Sequence, residues 1–486
     1  GAVVYQVLVD RFAPGADLAA KRHLYPAPRT LHRWDETPVK GDYLPAQKLW
    51  SHEIAFWGGD LASTAARLAY VQDLGADVLY LNPICLATTN HKYDALDYLQ
   101  VSPEYGTRED VKALAADVHA RGMKLVLDGV FNHMGRNAPV FQQAQADVNS
   151  PYRNWFVFGD QYPGGARAWW RAQNLPELNL ENPKVREHIY AAQDSVVRSY
   201  LRDGVDGWRL DVAFDIGFVY LDQLTRAAHQ EKAGSLVVGE IANYPKEWFP
   251  SVDAVMHFAL RRLTLGLANG TLDAPTYGRM VTRMIEETGI EHMLKSWIYL
   301  DNHDTPRLAT TVPDEAARHL AQVLQFTLPG SPNLYYGSEL DMPGGEDPEM
   351  RAPMRWDLAT PDNAALAWMR QLIAMHRQHR ALRVGNYRPI SSNRLFAFER
   401  YTDHVADTVL VIVNPGTEPV TETLMVANSK LMDGTRLVDL LGRTGQGEDI
   451  RMWATLLQVT VPAHGFLVLK PDVAPPGGYT NYKRVQ

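Results

Sequence analysis

Four apolar runs in this sequence each end in polar side chains, and helix-length segments separate them. The runs lie at Lys124–His133, Gly204–Ala213, Ser235–Glu240 and Trp297–Asp304. Buried strands that alternate with helices, and that end in Asp, Glu, His, Asn or Arg, are typical of the catalytic face of a (β/α)8 barrel. The sequence therefore predicts an α/β fold built on a TIM barrel with a polar site at one face.

The second run carries a cation and a carboxylate on one face of a strand. Arg209 and Asp211 are two residues apart, so their side chains point the same way. A neighbouring guanidinium favours the ionised form of a carboxylate and fixes its direction, as a nucleophile requires. Glu240 has no cation beside it in the sequence, so we expect it to be the protonated partner. A carboxylate pair of this kind is what glycosidic bond cleavage uses, although a structural ion pair is the alternative for Arg209 and Asp211.

These stretches also resemble the four signature regions of the alpha-amylase family of glycoside hydrolases. The matching residues, in the family's order, are Asp128–His133, Gly207–Asp211, Gly239–Ile241 and Asp301–Asp304. Further matches, to the cyclomaltodextrinase, neopullulanase and maltogenic amylase branch, are His91–Asp94, Leu175–Asn179, Tyr335–Gly337 and Gly344–Gly345. The resemblance implies a retaining hydrolase of α-1,4 glucosidic bonds in cyclodextrins, maltooligosaccharides or related α-glucans. Val212 follows Asp211 as in members that accept α-1,6 bonds, which keeps cleavage of those bonds open.

The resemblance also implies a role for each site residue. Asp211 is the nucleophile, Glu240 the general acid/base and Asp304 the third carboxylate, which distorts and holds the sugar. Substrate binding falls to Tyr93, as a stacking platform, and to Asp94, His133, Arg209 and His303. A structural histidine is the usual alternative for a single His, but His133 and His303 both follow strands beside Asn or Asp, which favours the functional interpretation.

Two other functions are compatible with the same residues. A transglycosylase of the 4-α-glucanotransferase type uses the same covalent intermediate and differs in what attacks it. A non-catalytic sugar-binding relative is disfavoured, because all three carboxylates are present. No cofactor is expected. Asn132 matches a position that holds calcium in many family members, so a structural calcium ion stays open, although Ala213–Asp215 replaces the Lys-His pair that often follows the nucleophile.

The chain of 486 residues is too long for one simple core and predicts several domains. We expect barrel strands near 3–9, 78–82, 124–128, 205–210, 235–239, 252–257, 296–300 and 332–335. We expect helices near 60–75, 107–120, 183–202, 215–231, 278–288, 314–327 and 363–379. The predicted domains are a barrel at 1–132 and 180–382, a small domain inserted after strand three at 133–179, a C-terminal all-β sandwich at 383–472 and a tail at 473–486.

Three segments outside the barrel carry specific expectations. The Asp10–Asp60 segment is far longer than an ordinary loop and rich in Pro, Trp and Tyr, so we expect it to cover the barrel mouth. Trp169 and Trp170 are expected to pack in a core rather than stack on sugars. The tail is expected to be disordered, the alternative being that Tyr479 and Tyr482 dock it.

Charge and hydropathy limit the partners. The net charge is −8 without a basic run, which argues against a nucleic acid or an anionic membrane. No segment approaches the roughly 20 apolar residues that span a bilayer. The expected partner is an α-glucan oligosaccharide. A homo-oligomer is compatible with the resemblance, but members of that branch carry an extra β-domain ahead of the first strand, which is not seen here.

Overall fold

A computed structural model describes residues 1–442, 449–474 and 480–485. Eight parallel strands close into a barrel in chain order, with the eighth strand paired to the first. Numbered one to eight, they are Val4–Val7, Val78–Leu81, Lys124–Gly129, Gly207–Leu210, Leu236–Ile241, Ala254–His257, Trp297–Ile298 and Ser331–Tyr335. The predicted TIM barrel is confirmed, and each strand falls within or next to its expected range.

The barrel strands are apolar on both faces because both faces are buried. Val4, Val126 and Val238 point inward and fill the barrel interior. Leu79 and Leu125 point outward and pack in the core that the barrel shares with its helices. This double burial explains why the strands are continuous apolar runs rather than alternating ones. The filled interior leaves the strand ends as the place for a site.

Helices surround the barrel. They lie at Leu61–Ala66, Leu68–Leu74, Arg108–Ala120, Pro183–Arg186, Val196–Arg202, Ala213–Ile216, Phe218–Glu231, Phe258–Ala268, Ala274–Thr288, Ile290–Lys295, Leu308–Thr311, Glu315–Thr327, Ala364–Gln378 and Arg380–Val384. Several begin at a side-chain cap: the Asp60 carboxylate, for example, accepts a hydrogen bond of 2.6 Å from the Ser63 amide.

The helix predictions were wrong at several places, among them the short helices Pro139–Ala146, Leu308–Thr311 and Arg380–Val384, which were not predicted. Phe258–Ala268 and Ile290–Lys295 were also not predicted. The first follows strand six directly and has no side-chain cap at its start. The sequence therefore gives no signal that the strand ends and a helix begins. The helix expected at 183–202 is interrupted. A π-helical turn at Glu187–Ala191 ends at Ala192, which is extended, and helix resumes at Val196.

Two long segments rise from the barrel at the carboxyl ends of strands one and three. The first carries short strand pairs, Thr30–Leu31 with Ala55–Phe56 and Tyr43–Leu44 with Leu49–Trp50. The second, the predicted insertion, contains the helix Pro139–Ala146 and a small aromatic core in which the Phe141 and Phe156 ring centroids are 4.9 Å apart. The exact domain boundaries stay predictions.

The C-terminal part is the predicted all-β sandwich. One sheet contains Asn386–Ile390, Phe396–Tyr401, Val409–Asn414, Gly465–Pro471 and Leu437–Asp439, and the other Val420–Met425, Leu456–Val461 and Met452–Trp453. Ile412 of the first sheet and Leu457 of the second share one core, which joins the sheets.

The expectation of a disordered tail is wrong for residues 480–485. The Tyr482 hydroxyl accepts a hydrogen bond of 2.9 Å from the Met432 amide and lies 2.6 Å from the Thr435 hydroxyl. Tyr479, with the rest of residues 475–479, and Gln486 lie outside the described residues. Within the described part of the chain, no helix is long and apolar enough to cross a membrane.

Candidate active site

A cavity of about 480 Å³ opens at the carboxyl ends of the barrel strands. Five predicted site residues line it: Tyr93, His133, Asp211, Glu240 and Asp304. This volume lies within the range of small-molecule binding sites. The structure thus brings together the three predicted catalytic carboxylates, the predicted platform and one of the two histidines.

Asp211 and Glu240 lie side by side because strands four and five are neighbours. The strand register pairs Leu210 with Gly239, which places the next residue of each strand at the same level. After Asp211 the chain turns sharply, and Val212 has a φ of +38°. Such a conformation is costly for a β-branched residue and is found at functional sites. It directs the Val212 amide to the Glu240 carboxylate, which accepts its hydrogen bond at 2.9 Å.

Arg209 lies beneath the carboxylates rather than on the cavity wall. Its Nη1 donates to both carboxylate oxygens of Asp128 at 3.0 Å and to Asp211 Oδ1 at 3.3 Å. Its Nη2 lies 3.0 Å from Glu240 Oε1. Arg209 is fully buried, so the structure differs from the predicted substrate contact. Arg209 instead positions three carboxylates.

Arg209 favours the ionised form of Asp211, as expected, but other groups outweigh it. Burial, followed by the neighbouring Glu240 carboxylate, raises the pKa of Asp211 well above its ordinary value of 3.8, although Arg209 opposes the shift. The guanidinium is closer to Glu240 and Asp128 than to Asp211. Neighbours in sequence are therefore not the strongest electrostatic partners here, because adjacent barrel strands bring other carboxylates nearer.

Asp304 is held by a histidine and an arginine. His303 Nε2 lies 2.9 Å from Asp304 Oδ2, and Arg351 Nη2 lies 3.2 Å from Asp304 Oδ1. Burial opposes ionisation, but these two groups lower the pKa of Asp304 below its ordinary range. Asp304 is therefore held in the charged form, in contrast to Asp211.

His303 lies behind Asp304 and Tyr93, and it is fully buried. Its Nδ1 accepts from the Gln6 amide at 2.8 Å, which leaves the Nε2 proton for Asp304 and for the Tyr93 hydroxyl at 2.6 Å. The two rings stack, with centroids 5.4 Å apart. His303 thus positions Asp304 and the Tyr93 ring, and its predicted contact with sugar hydroxyls stays a prediction.

His133 reaches the cavity as a neutral imidazole, because burial lowers its pKa to about 4. Its Nε2 donates to the Tyr93 carbonyl at 3.1 Å and lies 3.8 Å from Asp211 Oδ2. An uncharged ring at this distance adds no positive charge next to the nucleophile. It therefore leaves the pKa of Asp211 to burial, Glu240 and Arg209.

Asp94 does not line the cavity, contrary to its predicted role in substrate binding. Its carboxylate accepts hydrogen bonds from the backbone amides of Thr88 and Thr89 at 3.1 and 3.2 Å, and from the Thr89 hydroxyl. Both oxygens are thus used within the loop. Asp94 shapes the turn that presents Tyr93.

Asn132 makes contacts within the protein, and a calcium ion at this position stays a prediction. Calcium takes six to eight oxygen ligands. The Asn132 carbonyl already accepts from the Leu178 amide at 2.9 Å, and its side-chain amide faces His133 Nδ1 at 3.4 Å. Among the residues that the structure describes, no group of three or more His, Cys, Asp or Glu side chains gathers as a metal site.

Most of the cavity wall was not assigned from the sequence. Most of it comes from the segment after strand one, from the insertion and from the loop after strand eight, while His91 follows strand two and Val212 follows strand four. These residues are Tyr43, Lys48, Leu49, Trp50, Glu53, His91, Trp169, Arg171, Ala172, Gln173, Asn174, Leu175, Val212, Asp347 and Arg351. The length and aromatic content of Asp10–Asp60 were the available signal, and the expectation that this segment covers the barrel mouth is confirmed.

The expectation of core packing was wrong for both tryptophans. Trp169 lines the cavity and stacks on His133, with ring centroids 6.1 Å apart. Trp170 has a φ of +50° and is 80% exposed. The sharp turn places one ring over the site and the other in solvent, which the sequence pattern did not indicate.

The catalytic domain of the alpha-amylase family matches residues 6–402 of the chain. The chain belongs to the alpha-amylase family. This alpha-amylase-family chain is 30% identical to neopullulanase 2 of Thermoactinomyces vulgaris, over 96% of its own length and 77% of that protein. It is 31% identical to a cyclomaltodextrinase of a Bacillus species, over 85% and 72% of the two chains.

A solved structure agrees with this membership. The cyclic α-maltosyl-(1→6)-maltose hydrolase of Arthrobacter globiformis superimposes with a TM-score of 0.79 at 29% identity. The match covers 96% of this alpha-amylase-family chain and 98% of the other. Barrel, insertion and C-terminal sandwich are thus part of one shared architecture.

Proposed function

We propose that this protein is a retaining glycoside hydrolase that cleaves α-1,4 glucosidic bonds in cyclodextrins and short maltooligosaccharides. The observation that carries the proposal is the Asp211–Glu240 pair at the ends of adjacent strands, with Asp304 in the same cavity. Two carboxyl groups that flank one bond are what glycosidic cleavage requires. The names of the relatives support the substrate class.

Asp211 is the nucleophile in this proposal and Glu240 the acid. Asp211 Oδ attacks the anomeric carbon while Glu240 gives its proton to the departing oxygen, which yields a glycosyl ester on Asp211 and a free sugar hydroxyl. Glu240 then takes a proton from water, whose oxygen displaces Asp211. The sugar leaves with its configuration retained, and both side chains return to their first state.

The raised pKa of Asp211 must be reversed for Asp211 to act as the nucleophile. Positive charge that develops at the anomeric carbon favours the ionised form of Asp211, and the leaving oxygen needs a donor at Glu240. The proposed mechanism therefore requires Asp211 to be ionised and Glu240 to be protonated when the reaction begins.

The remaining residues hold the sugar. Tyr93 offers its ring as a platform, fixed by His303, while its hydroxyl donates to Asp128 at 2.8 Å. Asp304 and His133 face the cavity and can accept from or donate to sugar hydroxyls. The side chains at Asp211, Glu240 and Asp304 supply every step of the proposed reaction.

The test is a product profile with rates. We expect a higher kcat/KM on β-cyclodextrin and maltotriose than on soluble starch, and cleavage of pullulan would extend the activity to α-1,6 bonds. A clear preference for starch would contradict the proposal. An added acceptor sugar distinguishes a hydrolase from the alternative, a transglycosylase. A transglycosylase releases less free glucose and forms longer products when an acceptor is present.

A homo-oligomer is proposed only on the resemblance. Sedimentation of the purified chain tests it, and a single monomeric species would contradict it.

A further inference from the structure

A hairpin from the segment after strand one lies over the cavity. We call Tyr43–Trp50 the roof hairpin; it pairs Tyr43 with Trp50 and Leu44 with Leu49. Lys48 at its turn has a φ of +55°. That left-handed conformation is unfavourable for a lysine, and such residues cluster where a ligand is bound or clamped. Lys48 is thus held in an uncommon conformation at the cavity edge.

Lys48 connects the roof hairpin to the insertion. Its Nζ donates to Gln173 Oε1 at 3.2 Å. Both side chains line the cavity, although 125 residues separate them in the chain. The contact therefore joins two walls of the cavity that arise from different segments.

Further contacts hold the chain on both sides of the Lys48–Gln173 hydrogen bond. Leu49 is buried in a small core with Tyr25, Ile54 and Phe56. On the other side, Arg136 donates to the Gln173 carbonyl at 3.3 Å. Lys48 forms no ion pair with a carboxylate in the described ranges. Its ammonium group is therefore available to Gln173 or to a ligand, and not committed elsewhere.

The position of the contact in the barrel shows which side it closes. It runs from the segment after strand one to the insertion after strand three, and strand one lies opposite strand five in the ring of eight. Strand five carries Glu240. In the proposed reaction Glu240 protonates the leaving oxygen, so the leaving sugar lies on its side. The roof hairpin follows strand one, on the opposite side of the ring. In the proposed reaction, this is the side on which the sugar attached to Asp211 continues.

We propose that the Lys48–Gln173 contact closes the cavity on the side away from Glu240 and thereby limits the length of sugar chain that the site accepts there. This inference rests on the proposed function and adds two specificity-determining residues to it. A short chain fits beneath the contact, whereas a polymer that must continue past it is disfavoured.

Replacing either partner tests the proposal. For Lys48→Ala and Gln173→Ala, we expect the ratio of kcat/KM on soluble starch to kcat/KM on maltotriose to rise about tenfold, the size expected for loss of one charge-assisted hydrogen bond. The double variant should show no larger change than either single variant, because both remove the same contact. The exchanged pair, K48Q with Q173K, should return the ratio towards wild type.

Lys40→Ala is the matched control. Lys40 lies just ahead of the roof hairpin and its Nζ is 5.5 Å from the Trp50 ring centroid, but it does not line the cavity. We expect this variant to keep the wild-type ratio. Thermal unfolding shows whether each variant is folded, and Gln173→Ala carries the test if Lys48→Ala is not.

The two proposals fail in different ways. A wild-type protein that cleaves none of the α-glucans would overturn the proposed function. A wild-type protein that cleaves them, with an unchanged or lower starch-to-maltotriose ratio in both single variants, would overturn the role of the Lys48–Gln173 contact alone.

Discussion

A single buried guanidinium organises the charges of the site. Arg209 contacts Asp128, Asp211 and Glu240, all within 3.3 Å. One positive charge among three carboxylates cannot favour full ionisation of all of them. At the scale of residues, the result is a raised pKa at Asp211, where burial and the neighbouring Glu240 carboxylate outweigh Arg209.

Loss of either reacting carboxyl should abolish turnover without loss of the fold. We expect Asp211→Asn and Glu240→Gln to lower kcat about a thousandfold or more, because each removes a group that acts only in the reaction. Asp222→Asn is the control, since Asp222 lies on helix Phe218–Glu231 and pairs with Arg226. Activity within tenfold of wild type for either site variant would contradict the assignment.

The raised pKa of Asp211 also predicts a pH-dependent cost in stability. A carboxyl whose pKa is raised in the folded state stabilises the fold at pH values below its pKa in the unfolded state, here near 3.8. This stabilisation is lost as the pH rises through the pKa of the folded state. Asp211→Asn removes this cost. We expect its Tm to exceed that of wild type at pH 8 by more than at pH 4. A difference in Tm that is constant, or that shrinks as pH rises, would show that Asp211 is not held protonated.

At the scale of elements, strands supply the chemistry and long loops supply the walls. Asp211 follows strand four and Glu240 lies near the end of strand five, whereas Trp169, Lys48 and Arg351 come from the long connections between elements of the barrel. Strand ends are fixed by the barrel, so the reacting groups are rigidly placed. Loop side chains can vary without disturbing the barrel, which makes them the natural determinants of specificity.

Two neighbouring tryptophans allow a direct test of this division. We expect Trp169→Ala to raise KM for maltotriose about tenfold, because stacking on a sugar is lost. Trp170→Ala should leave KM near wild type, since its ring is exposed and outside the cavity. Equal effects of the two substitutions would contradict the placement of Trp169 at the substrate.

The sequence predicted those elements and site residues that a local pattern of residues determines. The predictions failed where contacts between distant parts of the chain determine the structure. The barrel strands were predictable because strands buried on both faces are apolar runs, and Asp211, Glu240 and Asp304 because each follows such a run. The contact of Arg209 with Glu240 was not predictable, since it crosses between strands. Asp94 was predicted to bind substrate, but its carboxylate accepts hydrogen bonds from amides of its own loop. The helix Phe258–Ala268 was missed because it follows strand six without a cap.

At the scale of the whole molecule, the sandwich is joined to the barrel by buried polar contacts. Arg400 is fully buried and donates to the Thr327 carbonyl at 2.6 Å and to the Gly385 carbonyl at 3.0 Å. Nearby, the Phe396 and Tyr277 ring centroids are 4.9 Å apart. The helix Glu315–Thr327 thus belongs to the layer of helices around the barrel and also contacts the sandwich through Thr327.

Breaking this junction should affect stability rather than catalysis. We expect Arg400→Ala to lower the free energy of unfolding by about 3 kcal/mol, because buried carbonyls lose their donor. The kcat/KM of the folded fraction should stay near wild type. Arg394→Ala, at an exposed position of the same domain, should change neither quantity. Denaturant unfolding measures the effect, and an unchanged midpoint for Arg400→Ala would contradict the role of the junction.

The configuration of the first-formed product tests the central claim that Asp211 and Glu240 act as nucleophile and acid/base. A covalent route requires the two carboxyl groups to lie about 5–5.5 Å apart and inverts the anomeric carbon twice. Proton NMR during the first minutes of maltotriose hydrolysis, before the anomers equilibrate, reads the result directly. We predict that the α-anomer appears first. Initial release of the β-anomer would contradict the covalent mechanism and the roles of both residues.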